Sequence, residues 1–264
     1  MKQNHAMFAL AISLFVAAPG LPGAEPPDTE KIKLIRVPNG GIQPQVALDD
    51  RGTVHLIYYT GDSKAGDIYY VTSSDGGNTF SAPLRVNSVP ESAIAAGTIR
   101  GAQLALGKAG QVHVAWNGSS KATPKGPLNP EQAADSPFNG TPMLYSRLDD
   151  AGSAFEPQRN LMQRTFGLDG GGSVAADRGG NVYVSWHGKT AGAAEGEAGR
   201  GVWLAISRDG GKTFAKEAPI SEASTGACAC CGVRVFVDRE NRVSILYRSA
   251  KEIVNRDIYL PVSY

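Results

Sequence analysis

SSDGGNTF at residues 73–80 returns as SRDGGKTF at residues 207–214. The shared pattern, Ser-x-Asp-Gly-Gly-x-Thr-Phe, describes a turn. Its aspartate can accept hydrogen bonds from the backbone of its own loop, its glycines permit positive φ, and its phenylalanine can fold back onto the strands that the turn joins. The positions concerned are Ser73, Asp75, Gly77, Thr79 and Phe80 in the first copy, and Ser207, Asp209, Gly211, Thr213 and Phe214 in the second. A decayed copy, LDDAGSAF at 148–155, keeps Asp150, Gly152 and Phe155 but loses the Ser and Thr.

The sequence around these turns is periodic. QVALDDRGTVHLIYY (45–59), QLALGKAGQVHVAW (103–116), SVAADRGGNVYVSW (173–186) and VRVFVDRENRVSILY (233–247) each read as two alternating strands joined by a polar turn. Aligned on Val54, Val112, Val182 and Val243, the units lie 58, 70 and 61 residues apart. A third strand follows each hairpin, at 67–74, 142–149, 201–208 and 256–263, and the octet then leads to a short fourth strand such as PLRVN (83–87). Repeated antiparallel four-stranded units predict an all-β fold, a β-propeller with four recognisable four-stranded blades.

With 264 residues and a formal charge of +1, the chain has room for one large domain and no strong field of either sign. Its charge therefore points to neither nucleic acid nor an acidic membrane surface as a partner. Lys2, the apolar run FALAISLFVAA (8–18) and the small residues after it predict an export signal over 1–24, with the propeller over 25–264. The apolar run is too short to span a bilayer, so the mature form is expected to be periplasmic or extracellular and free of the membrane.

The octet is the pattern called the Asp box, or BNR repeat, and the chain resembles the sialidase (neuraminidase)-like propellers that carry it. That resemblance implies a six-bladed plan, of which this chain would be a truncated form, since Ser263 stands where the box serine of a fourth copy would fall. The alternative is a closed four-bladed ring in which KIKLIRV (31–37) supplies the outer strand of the last blade. The resemblance also implies a glycoside hydrolase of exo-α-sialidase type, acting on or binding a glycan or glycoconjugate. Such enzymes use an arginine cluster, an aspartate acid/base and a tyrosine nucleophile assisted by a glutamate. Here Asp62 matches the acid/base position and Arg248 one of the arginines. The first arginine is replaced in Ile42-Gln43-Pro44, and the glutamate by Cys230-Cys231-Gly232, so standard turnover is not expected. The competing reading is a noncatalytic propeller that binds a glycan or a protein.

In an up-and-down blade the octets and hairpin turns share one face, and the long segments 88–100, 118–141, 163–172, 187–200 and 221–232 share the other. Long loops on a rigid scaffold usually carry function, which places Tyr59, Arg100, Asn117, Asp169 and His187 as candidate substrate-binding residues on that face. All three cysteines, Cys228, Cys230 and Cys231, fall in ACACC (227–231). No cofactor is required by the glycan reading. Cys-x-Cys-Cys with His187 nevertheless offers soft or borderline ligands for Cu or Zn, or a redox site, and the alternative is a local disulfide from Cys228 to Cys230 or Cys231. His55 and His113 are expected on strand surfaces, and the three tryptophans in blade packing.

Overall fold

The structure is a computed structural model that describes residues 32–97, 99–136, 139–250 and 256–263. The predicted export signal, 1–24, lies outside the described residues. The fold is all-β, and among the described residues no helix is long and apolar enough to cross a membrane.

Each sequence unit forms one antiparallel sheet with its strands in chain order. The first holds β1 (Ile42–Leu48), β2 (Val54–Asp62), β3 (Ala65–Ser73) and β4 (Leu84–Arg85). The second holds β5 (Gln103–Leu106), β6 (Val112–Asn117), β7 (Met143–Arg147) and β8 (Arg159–Asn160). The third holds β9 (Phe166–Ala176), β10 (Val182–Lys189), β11 (Gly201–Ser207) and β12 (Ala218–Pro219). The fourth has three strands, β13 (Arg234–Val237), β14 (Val243–Arg248) and β15 (Ile258–Tyr259).

The expected fourth strand of this last sheet is not found at 32–37, where the described residues form no strand. Val37 instead packs beside Leu56, Tyr58 and Val71 on the first sheet. The apolar face of that sheet thus takes Val37, which the pattern assigns to the last one.

Successive sheets meet through their first strands: β1 contacts β5, β5 contacts β9, and β9 contacts β13. A separate apolar cluster fills each gap between consecutive sheets. Ile57, Ile68, Val114 and Trp116 lie between the first and second, Tyr145, Val184 and Trp186 between the second and third, and Tyr183, Val235 and Ile245 between the third and fourth. Trp116 and Trp186 are completely enclosed, as blade packing requires, and truncating either to alanine removes contacts worth about 3–5 kcal/mol. His55 and His113 correct the surface expectation. Both are buried, and their Nδ1 atoms lie 2.6 and 2.7 Å from the hydroxyls of Tyr70 and Tyr145, so one polar pair is repeated in two sheets.

The two complete octets are superimposable in their bonding. The Ser73 hydroxyl donates to Asp75 Oδ1 (2.8 Å) and accepts from Gly77 N (2.8 Å), while Thr79 donates its N–H to Asp75 Oδ1 (2.9 Å) and its hydroxyl to Oδ2 (2.6 Å). Ser207, Asp209, Gly211 and Thr213 repeat the set at 2.7, 2.8, 2.9 and 2.6 Å. The threonine hydrogen bonds lead in holding both carboxyls far below the ordinary aspartate range. Each octet joins the third strand of its sheet to the fourth, on the side away from the long loops.

Candidate functional site

The long segments border a cavity of about 390 Å³. Lys64 reaches it from the β2–β3 turn, Arg100 from the segment before β5, Asn117 from the end of β6, Asp169 from β9, and Arg200 from the residue before β11. Three sheets therefore contribute to one opening: Asp169 lies within β9, and the other four lie at a strand end or in a connection.

Asp169 organises the charges. Its Oδ1 accepts from Arg100 Nη2 at 2.6 Å and from Gly170 N at 2.8 Å, and its Oδ2 faces Arg200 Nη2 at 3.6 Å. Partial burial favours its neutral form, but the Arg100 hydrogen bond, the Gly170 N–H and the Arg200 charge outweigh burial and hold the carboxyl below its ordinary value. An aspartate kept ionised has no proton to donate at neutral pH, so Asp169 suits orientation of the two guanidiniums and not general acid catalysis. Lys64, Arg100 and Arg200 leave the lining with a net positive charge around that single carboxylate. Gly170, with φ of +74°, has no room for a side chain, because a Cβ there would collide with the Ala229 carbonyl and lie 2.9 Å from His187 Nδ1.

Arg100, Asn117 and Asp169 line this cavity together, whereas the other sequence candidates are placed elsewhere. Asp62 does not line it: its carboxylate accepts from Lys64 N at 2.8 Å and so shapes the β2–β3 turn, while its carbonyl accepts from the Tyr59 hydroxyl. Tyr59 is buried, with its hydroxyl also directed at the Ala93 carbonyl, and burial together with nearby acidic groups raises its pKa, so it is not poised as a nucleophile. Asn117 is buried too, and donates from Nδ2 to the Gly170 carbonyl at 2.6 Å, which ties the second sheet to the third beneath the cavity floor. His187 is fully enclosed and lies outside both the cavity lining and the thiol group. Burial, reinforced by Arg200, lowers its pKa to about 4, so it is neutral at pH 7.

Arg248 also lies away from the cavity, with Nη1 3.5 Å from Cys231 Sγ. It belongs to a second site. The Sγ atoms of Cys228, Cys230 and Cys231 are gathered with separations of 3.0 Å (228 to 230), 3.6 Å (228 to 231) and 4.0 Å (230 to 231). A turn closed by Cys231 N donating to the Cys228 carbonyl (3.3 Å) brings them together. Arg256 Nη1 lies 3.0 Å from Cys228 Sγ, and its Nη2 donates to Glu197 Oε2 at 2.8 Å. The Cys228 thiol is held below its ordinary value: burial opposes this, and hydrogen bonds from Cys230 and Cys231 overcome it. Cys230 is correspondingly pushed up to about 11, chiefly by its hydrogen bond to Cys228.

Lys64, Arg200, Glu197 and Arg256 are the participants that the sequence pattern does not mark. The only signal for Arg200 was its place at the end of the long 187–200 connection, just before β11. Nothing local marks Arg256, which is 28 residues from the thiol that it meets.

No family model and no curated protein sequence matches this chain. Solved structures do. A Hadza microbial sialidase aligns over 83% of this chain and 43% of its own, at 14% identity and TM-score 0.52. Trypanosoma rangeli sialidase, in complex with the inhibitor DANA, aligns over 82% and 35%, at 14% identity and TM-score 0.50. Penicillium chrysogenum α-L-arabinanase, complexed with arabinobiose, aligns over 83% and 62%, at 13% identity and TM-score 0.50. The chain thus spans less than two thirds of the length of each. At such identities the likeness is one of fold: four sheets in a propeller-like arrangement, of the kind found in sialidases and arabinanases.

Proposed function

We propose that this chain is an exported, four-bladed, sialidase-like propeller that binds glycans bearing a carboxylate, without hydrolysing them. The observation that carries this reading is the cavity in which Arg100 and Arg200 flank Asp169, with Lys64 at the edge. Guanidinium groups present paired donors that match a carboxylate, and a partly enclosed site strengthens the pairing. The same lining holds one ionised carboxylate and, among the described residues, no tyrosine and no second acid. Neither the two-carboxylate route nor the tyrosine route to glycoside cleavage has its reacting groups there.

The test is calorimetric titration of the mature chain with sialyl- and uronosyl-terminated oligosaccharides, against neutral glycans including arabino-oligosaccharides. Acidic sugars should bind, and Arg200→Gln should weaken them tenfold or more, equivalent to about 1.4 kcal/mol. A fluorogenic sialoside should remain intact. Equal affinity for neutral and acidic glycans would remove the carboxylate assignment, and sialoside turnover would replace binding with catalysis.

A further inference from the structure

We propose that Cys228, Cys230 and Cys231 form a three-thiolate site for univalent copper, separate from the glycan cavity. The geometry is already close to what an ion needs. A metal held about 2.3 Å from three sulfurs requires them to stand about 3.8–4.0 Å apart. The separation between Cys230 and Cys231 is 4.0 Å, that between Cys228 and Cys231 is 3.6 Å, and that between Cys228 and Cys230 is 3.0 Å. Only the last edge must open appreciably, and Cys230, the exposed member, has solvent to swing into.

Ligand number and charge select the ion. Among the described residues the three cysteines stand alone, and no His, Asp or Glu brings a fourth ligand atom into the group. Structural zinc sites take four protein ligands, whereas soft thiolates favour Cu(I), which accepts lower coordination. Three thiolates around Cu(I) carry a net charge of −2. Arg248 and Arg256, already directed at Cys231 and Cys228, are the compensating cations, and Glu197 fixes the direction of Arg256. Binding exchanges Cu(I) for the protons of the ligating thiols, with no change in oxidation state, and therefore tightens as pH rises. Cys228 is buried and Cys230 exposed, so an ion can be handed in from the outer thiol to the inner one.

The experiment uses the full mature chain, reduced and kept anaerobic, and offered Cu(I) as its bicinchoninate complex. The chain should withdraw one ion, and X-ray absorption should show three sulfur ligands and no nitrogen. Cys230→Ser, at an exposed position, and Cys231→Ser should each weaken retention by at least tenfold while keeping the parent melting temperature. Arg256→Gln should weaken it while preserving the three-sulfur signature. Failure of a chain with three free thiols to take copper would overturn the site, and so would unchanged affinity in Cys231→Ser. A nitrogen ligand would overturn the three-thiolate assignment, and retention of zinc in preference to copper would overturn the choice of ion. None of these outcomes bears on the glycan reading, which rests on other residues.

Discussion

Gly77 and Gly211 fill the same place in two copies of one turn, and both adopt positive φ, yet their surroundings differ. A Cβ at Gly77 would approach the mobile end of Ile35, 2.8 Å from its Cδ1. A Cβ at Gly211 would collide with the hydroxyl oxygen of Tyr145, a ring locked by His113 on its hydroxyl and by the edge of Phe214, whose centroid is 4.8 Å away. Left-handed backbone costs about 1–2 kcal/mol for a residue with a side chain, so both alanine variants lose that much. At Gly211 overpacking adds about 1–3 kcal/mol. Gly211→Ala should therefore melt several degrees below Gly77→Ala in a thermal scan at neutral pH, and equal losses would show that the Tyr145 ring can move aside.

At the scale of the element, one device recurs with its register adjusted. In the hairpin turns, Asp49 accepts from Thr53 N (2.8 Å), Asp177 from Asn181 N (2.8 Å) and Asp238 from Arg242 N (2.9 Å). The octets do the same from Asp75 to Thr79 and from Asp209 to Thr213. The octet pattern aligns Asp150 with the capping aspartate of the decayed copy, but Asp149 holds its turn: Ser153 donates its N–H and its hydroxyl to Asp149, each at 2.8 Å. Asp150 instead meets Arg147 Nη2 at 2.8 Å, largely in solvent. Asp149→Asn should accordingly lower the melting temperature more than Asp150→Asn.

The Ser153 bonds hold the Asp149 carboxyl below its ordinary value, so its stabilisation is present above the unfolded pKa of about 4 and fades as pH falls through the lower folded value. The Asp149→Asn deficit should shrink in acid, and a deficit that stays constant from pH 7 to pH 2 would refute the assignment. This slip shows where pattern reading stops. Alternation and turn residues located the hairpins and the octets because those signals are local. Whether the second or third residue of LDDAGSAF caps its loop depends on which side chain four positions on can donate, and Ser153 settles it one residue early.

Over the whole molecule, the repeat and the placing of Arg100, Asn117 and Asp169 on one face were legible, and the individual contacts between distant residues were not. Arg100 and Asp169 meet across 69 residues, and Arg256 and Cys228 across 28, so neither pair has a spacing that predicts it. The exposed faces of the array follow from the same distinction. Register pairs Arg234 with Leu246 and Arg248 with Ile258, and Phe236 alternates with Val235, so Phe236, Leu246 and Ile258 share one side of the fourth sheet. They are 63%, 43% and 62% exposed, while Val235 on the other side is buried in the core. On the first sheet, Val46 and Leu48 on β1 are likewise 60% and 66% exposed. These exposed apolar side chains, which share their side of the sheet with Arg234 and Arg248, invite association between chains. Sedimentation velocity should show the protein self-associating as its concentration rises. The double substitution Phe236→Lys with Leu246→Lys should suppress that association without lowering the melting temperature, because neither side chain contributes to the buried clusters. A parent chain that remains monomeric at the highest soluble concentration would show that these faces do not drive assembly.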